Sequence, residues 1–136
     1  MAVTYSATLK TNRLNLVVNA LGTATAPTIS TTGVSAGSLV IGTSALSGAT
    51  GVLATITLST TPATVSGSVL TLSGGTLSAI ASATGTAALA ELRNNAGTVI
   101  VSGLTVGISG TDITINSTAI SSGQTVQVTA GTITHG

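Results

Sequence analysis

The sequence predicts an all-β domain preceded by one short amphipathic helix. Three observations carry that prediction. From Thr23 onward, short runs of Val, Ile, Leu and Thr are separated by Gly, Ser, Asn or Asp, at the spacing of roughly 8 to 12 residues expected of a sandwich or barrel. The β-branched residues in those runs suit a pleated surface better than a helix. Only the first segment, residues 1–22, carries apolar residues at helical spacing. The chain therefore divides into an N-terminal segment, 1–22, and a β domain, 23–136, within one domain of 136 residues overall.

In the first segment Leu9, Arg13, Leu16, Val17, Ala20 and Leu21 fall near one another on a helix begun after Ser6. Ser6 is suited to cap its start and Gly22 to take the left-handed position at its end. Asn12, Asn15, Asn19 and Lys10 give it a more polar side. Ser38–Gly42 is a short apolar run, and Val52–Leu58 alternates as a half-buried strand does. Val65–Leu72 reads as a further strand after the Thr61-Pro62 break. Residues 22–37 and 42–51 are rich in Gly, Ser, Thr and Ala and read as long loops or irregular edges. The strongest hairpin signal is Ala87–Arg93, then Asn94-Asn95-Ala96-Gly97, then Thr98–Val101. Leu104–Val106, Ile113–Ile115, Thr125–Val128 and Thr132–Thr134 complete the series.

Charge is the scarcest resource. Lys10, Arg13, Arg93, Glu91 and Asp112 are the only formally charged side chains, 4% of the residues, and 14–90 contain none. Soluble domains devote about a quarter of their residues to charge. A net charge of +1 provides no field to steer nucleic acid or anionic lipid. A mean hydropathy of +0.69 raises the possibility of a membrane protein, yet Ser, Thr, Gly or Asn interrupt every apolar run, so no 20-residue span emerges. One Tyr cannot form the aromatic girdles of a transmembrane barrel. Lys10 and Arg13 stand where a secretory signal would need its apolar stretch. The core must be aliphatic, with Phe, Trp and Cys all absent.

Catalysis fails on inventory, and the expectation is a non-enzyme without cofactor, metal or small-molecule substrate. The one His, His135, is next to last. Paired-carboxylate chemistry needs two acids at one site, while Glu91 and Asp112 have nearer roles. Glu91 and Arg93 lie two apart on one strand face, as a modest surface pair would, and Asp112 follows Gly110-Thr111 as a turn residue. A metal site lacks ligands, and no glycine stretch has phosphate-loop spacing. Asn116-Ser117-Thr118 matches the glycosylation pattern, as chance allows in a chain this rich in Ser and Thr. The Thr-x-Thr pairs at 23/25, 55/57 and 132/134 are too irregular for an ice-binding ladder.

A monomer normally protects strand edges with charge, above all Lys; this chain has almost none. Assembly with neighbours is the consistent reading. The opening Met1–Arg13, with Val52–Leu58, Ser66–Leu72 and the stretches Val101–Gly107 to Thr132–Gly136, resembles small structural proteins of tailed bacteriophages. That resemblance implies a β-sandwich or jelly-roll-like module acting as a capsid decoration (cement) protein. Such a protein sits on the virion's capsid surface after synthesis in the host cytoplasm. Its implied partners are itself, as dimer or trimer, and a major capsid protein. A tail, neck or fibre component is the alternative, and a surface adhesin-like β-domain the third. The expected contact residues are Leu9, Lys10, Arg13, Leu16 and Val17 on the helix and Gly33, Val34 and Gly37 in the following loop.

Overall fold

The computed structural model describes residues 3–20, 37–58, 63–72, 77–94 and 97–134. Among these described residues one helix, α1 (Ala7–Ala20), precedes eleven strands. These are β1 (Ser38–Ser47), β2 (Thr50–Thr57), β3 (Ala63–Ser66), β4 (Val69–Leu72), β5 (Ser78–Ile80), β6 (Gly85–Thr86), β7 (Leu89–Arg93), β8 (Val99–Gly107), β9 (Ile113–Ile115), β10 (Ala119–Ile120) and β11 (Thr125–Thr134). Nine of them form one mixed sheet in the order β2-β1-β7-β8-β9-β11-β4-β3, with β5 also on β11, and β6 pairs β10 separately. The molecule is mostly β, as its composition predicts.

The sheet curls back on itself. β11 pairs with β5 through Thr125–Gln127, with β9 through Val128–Gly131 and with β4 through Thr132–Thr134. Beyond β5, Ser82 N–H donates to Leu53 O on β2 at 2.8 Å, joining the far edge to the same layer. Leu39, Ile41, Leu53, Ile56, Leu70, Leu92, Ile113 and Val126 fill the enclosed space. Alternation along β11 sends Val126 and Val128 inward and Thr125, Gln127 and Thr129 outward, while in β1 and β7 the other face carries Val40 and Glu91.

Several connections follow from single residues. Asn94 Oδ1 accepts from Thr98 N–H at 2.9 Å and Gly97 takes φ +86°, which closes the β7–β8 hairpin where the sequence places it. Val65–Leu72 is two strands and not one. Gly67 at φ +60° lets the chain reverse between β3 and β4. The runs Thr98–Val101 and Leu104–Val106 merge into β8, with an extra residue near Gly103 bulging opposite Ala90–Leu92. Thr125–Val128 and Thr132–Thr134 likewise merge into β11. Residues 42–51, expected as a loop or an irregular edge, are strand in large part and form the irregular β1–β2 hairpin at the edge of the sheet. Their small polar residues pair through the backbone, which composition alone does not reveal.

The β8–β9 pair is the only parallel one among the described residues. Parallel neighbours ordinarily need a crossover of a dozen or more residues, yet Gly107 and Ile113 are separated by 108–112 alone. The register, Val106 beside Ile113 and Gly107 beside Thr114, overlaps the strands at their tips only. An added Cβ on Gly107 would stand 2.8 Å from Thr111 Cγ2, so a side chain there would force the Thr111 side chain to shift.

The helix begins as expected, with Ser6 Oγ accepting from Leu9 N–H at 3.2 Å. Gly22 lies outside the described residues. α1 rests on β3, β4 and β8, and Thr11 donates to Gly67 O at 2.5 Å, which ties it to the β3–β4 turn.

Candidate functional site

Two places gather the chain's few charges: the outward side of α1, and the region of β7 to β9. The sheet decides which stripe of α1 faces inward. Leu14 and Val18 are 3% and 0% exposed, and Val17 packs partly against the core. Leu9 and Leu16 are 40% and 37% exposed, so the buried stripe is one position removed from the grouping that spacing alone suggested. Residues 9 and 16, seven apart, share the outward side.

Near Leu9 and Leu16 lie the half-buried Lys10 and Arg13. The Arg13 guanidinium carbon stands 4.1 Å from the centroid of the Tyr5 ring, a cation–π contact that holds the chain entering the helix. Asn15 Oδ1, on the supposedly polar side, is buried with no hydrogen-bond partner among the described residues. Val3, 73% exposed, precedes this region. Of the expected loop contacts, Gly37 is buried and its carbonyl accepts Leu58 N–H at 2.9 Å. Gly33 and Val34 lie outside the described residues.

The β7–β9 charges are used inside the fold. Arg93 Nε and Nη2 both donate to Glu91 Oε2, at 3.1 and 2.8 Å, and Nη2 also donates to Gly48 O at 2.6 Å. Glu91 is 7% exposed. The pairing expected from their two-residue spacing is present, but it is not the surface pair anticipated. The β1–β2 hairpin, read from sequence as loop or irregular edge, supplies a third member through Gly48.

Asp112 does more than turn the chain. Its Oδ2 accepts from Thr105 N–H and Thr105 Oγ1, both at 3.0 Å, its own N–H donates to Thr105 Oγ1 at 3.1 Å, and its carbonyl accepts from Thr132 N–H at 2.9 Å. One residue thus clasps β8 to the start of β9 and to β11. Asn116 is engaged on both sides, donating to Thr125 O and accepting from Gln127 N–H at 3.1 Å.

Among the described residues no three His, Cys, Asp or Glu side chains come together as a metal site would require. No helix among them is long and apolar enough to cross a membrane. Comparison with known proteins finds no family model, no curated protein and no solved structure that matches the chain.

Proposed function

We propose that the chain is a non-enzymatic structural protein of a virion, a capsid decoration (cement) protein bound to the outside of the head shell. It would clamp neighbouring major capsid proteins and associate with itself as dimer or trimer. One observation carries this reading. Glu91, Arg93 and Asp112 are engaged in the fold's own hydrogen bonds, so the charge left near the surface sits with exposed Leu9 and Leu16 on one helix. Apolar side chains beside a cation on a neutral β body are what a docking face needs, and the body has little charge to keep neighbours away.

Each bound copy adds binding energy to the assembled shell alone, which stabilises it by mass action without chemistry. On this reading the curled sheet is a sandwich of the jelly-roll kind. A tail, neck or fibre position in the same virion is the second reading, since the same composition and outward helix suit it.

The test is binding of purified chain to empty shells, followed by cosedimentation. Leu9→Asp/Leu16→Asp is expected to abolish binding while circular dichroism stays unchanged, because both residues point away from the core. Full binding by the folded double variant would refute α1 as the contact. A clean monomer that cosediments with tails and not heads would move the reading to the second position.

A further inference from the structure

Ser38 of β1 stands beside Arg93 of β7. An extended strand rises about 3.3 Å per residue, so Gly48, ten positions on, would lie roughly 33 Å away, far beyond one arginine side chain. Yet Arg93 Nη2 is 2.6 Å from Gly48 O. The hairpin tip must therefore double back over its own sheet.

The turning point is visible at Gly42. Its register partner shifts from Ala54 opposite Ile41 to Val52 opposite Gly42. An added Cβ on Gly42 would stand 2.6 Å from Leu46 Cδ1 and 2.6 Å from Gly51 O. In a straight strand Leu46 would be about 13 Å further along. Gly51, at φ +73°, faces Thr43 in the same fold. Past Gly42 the chain is thus a small hairpin of its own, closed by Ser47 opposite Thr50.

The residues beneath it form a face apart from the main core. Alternation sends Leu39 and Ile41 inward, paired with Leu92 and Ala90, and sends Val40 outward beside Glu91. Val40 is nonetheless buried and Glu91 nearly so. The bent tip carries exposed Ser44, Ala45, Ser47, Gly48 and Ala49, with Leu46 half-buried. It contributes no side chain to the main core.

We infer that residues 43–51 are a flap latched over the outer face of the sheet by the Arg93 guanidinium, which holds buried Glu91 on one side and the Gly48 carbonyl on the other. The flap opens as a unit while β7, β8 and β11 stay formed, because its ties to the rest are this latch, the Gly42 bend, the start of β2 and the Thr43 side chain lying against Gly85 of β6. A guanidinium can bridge a carboxylate and a carbonyl at once, which a point charge does poorly.

Hydrogen exchange of the full chain, read by mass spectrometry, tests the latch. Glu91→Gln/Arg93→Met removes both charges and so leaves no buried carboxylate unpaired. The expected result is at least tenfold faster exchange in 43–51, with the amides of 101–106 and 125–131 unchanged. Unchanged rates in 43–51 overturn the inference. Equal acceleration throughout overturns it as well, because the flap would then not be separable from the sheet. Should the double variant fail to fold, Arg93→Lys keeps a positive charge beside Glu91 and is judged by the same rates and the same two overturning results.

Discussion

The helix and the β7–β9 region each hold charge, and they use it in opposite ways. On α1, half-buried Lys10 and Arg13 lie beside exposed leucines, with Arg13 over the Tyr5 ring. In the sheet, the Arg93 side chain reaches the Gly48 carbonyl with Glu91 holding its other donors, and the Asp112 side chain holds the Thr105 N–H. When charges are this few, each one placed inside fixes backbone geometry that small neutral side chains cannot.

Arg93→Ala attacks that contrast most directly. Leaving Glu91 buried without its partner is expected to cost about 3 kcal/mol in urea unfolding, and a loss below about 1 kcal/mol would group the pair with exposed ones. Leu14→Ala comes next, at about 2 kcal/mol from the lost burial, while Leu9→Ala on the opposite side stays within about 0.5 kcal/mol. Equal losses at both positions would mean that α1 has no distinct outward side. Asp112→Ala hands the exposed Thr105 N–H over to water and is expected to cost about 1 kcal/mol by the same titration. Gly107→Ala should lose about 1 kcal/mol through the forced shift of Thr111, seen as a lower thermal midpoint. Lys10→Ala marks the small end, within about 0.5 kcal/mol of the parent protein.

Strand content, the Ser6 cap and the Asn94–Gly97 hairpin are legible in the residues because local chemistry decides them. The inward face of α1 is not. Leu9, Leu14, Leu16, Val17 and Val18 surround much of the helix, so the choice falls to the sheet it meets. Gly42–Gly51 misleads for another reason: its strands are held by backbone pairing and by close approaches that only glycine permits. The Glu91–Arg93 pairing follows from spacing, but its burial depends on Gly48, which no local pattern links to it. The Asp112 clasp is similarly hidden, since its partner Thr105 lies across a strand tip.

β11 meets β5, β9 and β4 in turn along its length, and all three lie earlier in the chain. Synthesis therefore delivers three strands before the one that joins them. Until Thr125–Thr134 emerges from the ribosome, the sheet stays in three pieces, β2-β1-β7-β8-β9, β4-β3 and β5, and their contacts are of long sequence separation, the kind that folds slowly. A release of the chain before Thr125 would leave neutral, uncovered strand edges free to pair with one another, so β11 is also the safeguard against aggregation.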